Sequence, residues 1–259
     1  MKRMILGMSL VAALLLTASS AMAAAGVNLR WNACFGDAGA QNRVSACASN
    51  LGNAGTLVGS FELGTGIAGD GSPANTGGVT GIEGILDLIA TGGALPAWWD
   101  YSAPGGTIGC RGSALALNPT ISGAAVNCFD WAAGQAAGGL AAYNDTGSPA
   151  GTPGHRRIKL GFAVATAVDV PAAAEFFAFN IVISNAKTTG AGNCVGCTEN
   201  VCIVLNSINV VPGILAGVLL GDGTAPGSNI ATWQASVAGD CTGVPTKNAT
   251  WSQVKSLYR

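Results

Sequence analysis

The chain has 259 residues, among them 39 Gly and 8 Cys, with 49% hydrophobic and only 10% charged residues. That apolar content supports a buried core and excludes global disorder, and the scarcity of charge and of strong helix formers argues against long solvated helices. The formal charge is −1 and the one basic cluster is His155-Arg156-Arg157 with Lys159, so no basic face for nucleic acid is expected.

Residues 1–23 read as a cleaved signal peptide. Lys2 and Arg3 lead an apolar run over 5–16, which ends at the small-residue cleavage pattern Ala21-Met22-Ala23. The run is shorter than the ~20 residues of a membrane-spanning helix. The remainder, 24–259, is expected to be one secreted domain (extracellular or cell surface, with the periplasm as the other option) and to have no membrane span after signal cleavage.

Residues 27–31 alternate and read as an edge strand. Residues 56–63 put Leu57, Gly59, Phe61 and Leu63 on one face and Val58, Ser60 and Glu62 on the other, which predicts a strand. A turn-rich loop follows to residue 78. Residues 79–90 mix Glu, Asp and Leu, which a helix tolerates, with glycines and β-branched residues, which favour the strand assigned here. Trp98, Trp99 and Tyr101 then place three aromatics in four residues. They are the candidate ligand-binding residues, as a stacking platform for a sugar; the other outcome is a core plug beneath a loop.

Residues 110–117 predict another strand, 127–135 a short helical turn and 138–143 extended chain. Three strong strands come next, at 157–170, 174–187 and 201–211. In the first, Ile158, Leu160, Phe162 and Val164 alternate. In the second, Phe177, Phe179, Ile181 and Ile183 fall two apart and are expected to share a face, with Asn180 opposite. The third sets Cys202, Val204, Asn206 and Ile208 against Ile203, Leu205 and Ser207. These three are expected to form one unit with 174–187 in its middle. A short strand is predicted near 230–235. Residues 250–259 could form a terminal helix, N-capped by Thr250, that docks on the body through Trp251, Val254, Leu257 and Tyr258. Many short strands with Gly/Pro turns predict an all-β fold, a two-sheet antiparallel sandwich or jelly roll with short helical pieces only. A closed membrane barrel would want aromatic girdles, and only 6% of residues are aromatic.

All eight cysteines, Cys34, Cys47, Cys110, Cys128, Cys194, Cys197, Cys202 and Cys241, follow the leader, and an even count in an exported chain predicts disulfides. Spacing favours the local pairs Cys34–Cys47 and Cys110–Cys128. One of Cys194, Cys197 and Cys202 then takes Cys241, and the other two pair together. The rival is a zinc site built from the Cys194-x-x-Cys197 half-site with Cys202 and Cys241.

No catalytic residue and no metal site is assigned. The single histidine, His155, stands in a Gly/Pro loop beside two arginines, which predicts a surface residue. Glu62, Glu83, Asp87, Asp100, Asp130 and Glu175 could supply a carboxylate pair for glycoside hydrolysis, and Glu83 with Asp87, on one face of a strand, is the first pair to consider. No cofactor is expected beyond a structural calcium ion in the loops at 70–75, 144–145 or 222–229, none of which has the twelve-residue helix-loop-helix calcium pattern.

The order of VTGIEGILD at 79–87, Ala97-Trp98-Trp99, FFAFNIVISNAK at 176–187, VCIVLNSI at 201–208 and the ending TWSQVKSLYR resembles exported bacterial β-sandwich proteins of a cohesin-like or carbohydrate-binding-like kind. The resemblance implies the sandwich fold and an exported location, and carries over no functional residue. The expected function is a non-enzymatic binding, adhesion or surface-structural role, with an extracellular glycan or protein as partner. The alternative is a polysaccharide-binding module or a glycoside hydrolase that uses a carboxylate pair.

Overall fold

A computed structural model describes residues 26–63, 78–90, 93–101, 109–121, 127–144, 154–172, 174–212, 218–221, 223–234 and 241. The expected signal peptide and docked C-terminal helix, and the loop at 70–75, lie outside these residues. Among these residues twelve strands follow one another: β1 (Gly26–Trp31), β2 (Asn42–Arg43), β3 (Asn53–Glu62), β4 (Val79–Ala90), β5 (Leu115–Asn118), β6 (Cys128–Asp130), β7 (Ala137–Asn144), β8 (His155–Val168), β9 (Glu175–Ser184), β10 (Val201–Pro212), β11 (Val218–Leu220) and β12 (Ile230–Trp233). A 3₁₀ turn, Ala97–Trp99, interrupts them. Among the described residues no helix is long and apolar enough to cross a membrane.

The strands build two sheets, in the orders β1-β3-β9-β5 with β6 beside β9, and β2-β12-β10-β4-β8-β7 with β11 beside β10. Pairing is antiparallel except for β2 with β12 and β6 with β9. The all-β two-sheet sandwich is therefore as expected. Its core lies between the sheets, where Leu57, Phe61, Phe179 and Ile181 of the first meet Leu86, Ile158, Leu160, Ile203 and Leu205 of the second. Each such side chain taken fully from water contributes ~1.5–3 kcal/mol.

β8, β9 and β10 do not form one unit. β9 belongs to the first sheet, and β4 stands between β8 and β10. Consecutive strands of a sandwich cross between sheets to bury an apolar face on both sides of the core, which strand-by-strand alternation does not register.

Two bulges redirect side chains that the period of two had placed. In β9 the register steps from Gly59↔Phe179 to Ser60↔Phe177, skipping Ala178. Phe177 therefore leaves the face of Phe179 and Ile181 and packs outside the sheet with Val58, Cys34 and Cys128. In β10 the step between Leu205 and Ser207 skips Asn206, so Ile208 and Val210 rejoin Ile203 and Leu205 in the core, away from Cys202 and Val204. An inserted residue reverses the inward–outward phase of everything beyond it. Opposite the first bulge, Gly59 lies under the Phe179 ring, and a Cβ at Gly59 would fall 2.2 Å from it.

The segment at 127–135 is not helical. β6 pairs in parallel with β9, and Asp130 then accepts the Ala132 N–H (2.9 Å) and the Gly134 N–H (2.7 Å), closing a turn in place of a helix. The strand predicted at 110–117 starts later, at Leu115, after a turn over 110–113.

The disulfides are Cys34–Cys128, Cys47–Cys197, Cys110–Cys194 and Cys202–Cys241. The local pairs Cys34–Cys47 and Cys110–Cys128 are not formed, and Cys194 does not meet Cys197; the Cys202 choice for Cys241 is the part that holds. Loop length is a weak guide to pairing, because a tenfold longer loop costs only about 2 kcal/mol more to close. The sheets decide which sulfurs meet. No cysteine is free, so no four-thiolate zinc set remains. Cys34 and Cys128 also approach Glu175, but as disulfide sulfurs and not as thiolate ligands.

Candidate functional site

Trp98, Trp99 and Tyr101 are buried, at 0%, 0% and 2% exposure. None offers a face to solvent, so the platform expected from their spacing is not at the surface; the core plug is what forms. The 3₁₀ turn folds them inward. The Trp98 N–H donates to the Val195 carbonyl (2.9 Å) and its indole Nε1 to Thr188 Oγ1 (3.0 Å). Trp98 stacks on Trp233 at 4.9 Å, and Trp99 meets Trp233 edge-on at 5.7 Å. Tyr101 leads on to Tyr143, whose hydroxyl donates to the Trp99 carbonyl. Burial raises both tyrosine pKa values, and the cation of Arg111 opposes the shift at Tyr101.

Arg111 closes this plug. It is 1% exposed, and its guanidinium lies 3.6 Å above the Trp98 ring. Nε donates to the Ala186 carbonyl (2.9 Å), one terminal nitrogen to the Trp98 carbonyl (2.9 Å) and the other to the Ser184 carbonyl. Desolvation lowers its pKa, and Tyr101 offsets part of that. Among the described residues no carboxylate lies within ion-pairing distance of it. In the sequence it is one arginine in a Gly/Ser turn after Cys110, and nothing there distinguishes it.

The carboxylates sort by surroundings. Glu83 and Asp87 share the outer face of β4, as expected, yet do not act as a pair. Asp87 is buried and held in a two-pronged ion pair by Arg157, Nε to Oδ1 and Nη2 to Oδ2 both at 2.7 Å. Glu83 is exposed and accepts from Asn209 Nδ2 at 3.1 Å. Asp100 takes the Cys110 N–H at 3.2 Å, and Asp130 holds its turn. Replacing Arg157 with Ala leaves Asp87 buried without a counter-charge and should cost ~2–4 kcal/mol, read from the urea midpoint; Asp87→Asn in the same background should recover most of it.

The pair that the tertiary structure does assemble is Glu62 and Glu175. They are direct cross-strand neighbours on β3 and β9, on the outer face of the first sheet, at 2% and 7% exposure. Glu175 is fully engaged: its oxygens accept from the Phe35 N–H (3.0 Å), the Gly36 N–H (2.7 Å), Asn28 Nδ2 (3.5 Å) and Ser60 Oγ. One oxygen of Glu62 is buried without a partner. Desolvation, then the charge of Glu175, raises the Glu62 pKa to about 7. Arg30 is the cation beside them, bonded to the Ser228 and Leu29 carbonyls and seated 4.8 Å over the Phe35 ring. Both glutamates are candidates by count in the sequence, but their pairing requires the β3–β9 register.

The folded chain favours protonated Glu62, so stability is fullest below the ordinary carboxylate value and is lost as pH rises towards about 7. Glu62→Gln should remove that loss. It should leave the urea midpoint near wild type at about pH 4 and raise stability by ~1–2 kcal/mol at about pH 8, the full linkage being reduced by relaxation of the surroundings about the ionised carboxylate. Equal midpoints at both pH values would refute the assignment.

His155 opens β8 opposite Ile89, half-buried. At 222–229, Thr224 Oγ1 donates to Asn28 Oδ1 (2.5 Å), and Ser228 Oγ accepts the Ala225 N–H (3.1 Å). These oxygens close the free edge of β1, where the Leu29 N–H also meets the Ser228 carbonyl. Outside the second sheet a groove of about 540 Å³ runs between Glu83, Ile85, Lys159, Asn209 and Leu219.

Comparison with known proteins adds no relative: no family model, no curated protein and no solved structure matches the chain. What stands is a disulfide-rich β-sandwich whose four bridges suggest an oxidising, extracytoplasmic location.

Proposed function

We propose that the chain is an exported, non-catalytic β-sandwich that serves as a binding or surface-structural component outside the cytoplasm. The observation that supports it most is the set of four disulfides joining segments 39 to 150 residues apart, a framework that persists only in an oxidising compartment. The engagement of Asp87, Asp100 and Asp130 in structural bonds points the same way, since none is left to act as acid or base. The partner is an extracellular glycan or protein. The test is intact mass on protein recovered outside the cytoplasm, with and without reductant. Four bridges give a shift of about eight hydrogens, and cleavage after Ala23 gives the mature mass. Reduced, full-length protein retained in the cytoplasm would refute the reading.

One observation favours a second reading, glycoside hydrolysis by a carboxylate pair. Glu62 and Glu175 face each other in unlike surroundings, one held by four donors and the other carrying an unpartnered buried oxygen, and unlike surroundings are what divides the roles of a carboxyl pair. Hydrolysis of a polysaccharide panel that Glu62→Gln abolishes would establish it, and an inactive wild-type protein would dismiss it.

A further inference from the structure

At the end of the sandwich occupied by the aromatic plug, the turn over 110–113 and the turn over 185–188 border an open cleft of about 360 Å³. Arg111, Lys187, Ser113 and the small residues Gly109, Gly112 and Ala186 line it. The lining carries two cations and no carboxylate. Arg111 is the unusual one. A buried guanidinium is ordinarily matched by a carboxylate, and among the described residues this one is matched by three carbonyl dipoles and by the side chains of Trp98 and Tyr101. Dipoles satisfy its N–H groups but leave the unit charge uncancelled in a region of low dielectric, where its field is weakly screened. Asp100, the acid at the start of this segment, is turned to the Cys110 N–H.

Lys187 stands at the rim. It is exposed, and Nζ donates to the Cys110 carbonyl at 2.8 Å. Its backbone is held at φ +57°, in the turn where the Thr188 N–H meets the Asn185 carbonyl (3.2 Å) and the Cys194 N–H meets the Lys187 carbonyl (2.8 Å). The Cys110–Cys194 bridge fastens the two walls to each other. The second charge is thus carried on a wall that cannot swing away, and the volume lies within the range of small-ligand pockets.

The geometry points to an anion-binding site here, formed by Arg111 below and Lys187 at the rim, that takes the carboxylate or sulfate group of a small polar ligand such as an acidic sugar. The exposed ammonium of Lys187 meets the oxyanion directly, the buried charge of Arg111 adds its field from below while its nitrogens stay on their carbonyls, and the glycine-rich wall lets the anion approach the backbone. The inference gives the binding role proposed above a ligand class, and rests on that reading only for where the ligand is met.

The test uses the mature, oxidised chain, titrated at constant ionic strength with glucuronate, with sodium sulfate and with neutral glucose. Trp98 against Arg111 supplies the readout in tryptophan emission, and calorimetry checks it. Glucuronate, or sulfate alone, should bind saturably in the millimolar range while glucose has no effect; sulfate without glucuronate would assign an inorganic oxyanion as the ligand. Lys187→Gln should weaken binding at least fivefold. Ser113→Asp, which adds a like charge to the ligand at an exposed position, should abolish it, with near-ultraviolet dichroism and melting unchanged in both variants. Absence of saturable binding by either anion, or binding unaltered in both variants, would overturn the proposal. Failure of export would leave this result untouched, so the two readings fail separately.

Discussion

Replacement of Arg111 by Met is expected to destabilise the protein by ~3–4 kcal/mol. The substitution keeps an unbranched apolar stem but removes three donors, leaving the carbonyls of Trp98, Ser184 and Ala186 without them. Each buried polar group so stranded costs ~1–3 kcal/mol, and loss of the contact with Trp98 costs up to ~2 more. Relief of the buried charge offsets part of the total, which is why the expected sum is smaller than its parts. Arg111→Lys should recover little, because an ammonium cannot direct a planar fork at three carbonyls and lie flat on an indole. Urea unfolding with the disulfides intact measures both. A Met variant within ~1 kcal/mol of wild type would mean that the plug holds without its arginine.

Removal of the Cys47–Cys197 bridge is expected to cost about as much. It closes the longest of the four loops, with a separation of 150 residues, and the chain-entropy relation assigns such a loop about 5 kcal/mol. The Cys202–Cys241 bridge, with a separation of 39, is assigned about 4 kcal/mol. Cys47→Ala/Cys197→Ala should therefore melt lower than Cys202→Ala/Cys241→Ala. The former should also loosen the plug, because the Cys197 carbonyl accepts from Trp233 Nε1 (2.6 Å) and Gln234 Nε2 (3.2 Å). Peptide mapping of the first variant supplies an independent check. Cys34 should remain linked to Cys128, and a free Cys34 thiol would mean that the local Cys34–Cys47 bridge is the native one.

Legibility differed by element for reasons visible in the residues. β8 read correctly because its apolar positions alternate without interruption: Ile158, Leu160, Phe162 and Val164 all face the core; β3 and β4 also read correctly as strands, with Leu57 and Phe61 of one and Ile82, Leu86 and Leu88 of the other in the core. β9 and β10 misled because one residue in each, Ala178 and Asn206, is inserted against a partner strand, and the insertion has no local signature. The tryptophans were equally opaque. Trp98-Trp99 has the same spacing whether the rings lie on a surface or inside it, and what decides is the separate arrival of Trp233, Arg111 and the Cys194–Cys197 loop at the same place.

The carboxylates show the same division. Glu83 and Asp87 were legible as a pair because they lie on one strand, yet Arg157 on the neighbouring strand takes Asp87 out of use. Glu62 and Glu175 are 113 residues apart in the chain and were individually unremarkable; the β3–β9 register makes them neighbours.

What the sequence determined by itself is the class of fold and its chemistry of stabilisation: short alternating strands, glycine turns, too few charges for solvated helices and cysteines that pair. These are properties of composition and of neighbours along the chain. Tertiary structure alone decided which strands share a sheet, which sulfurs meet, which two carboxyls stand side by side and which arginine is buried on the tryptophan plug. Each of these depends on groups brought together from distant segments, and on burial, which fixes the dielectric around a charge and belongs to no residue until the sheets close.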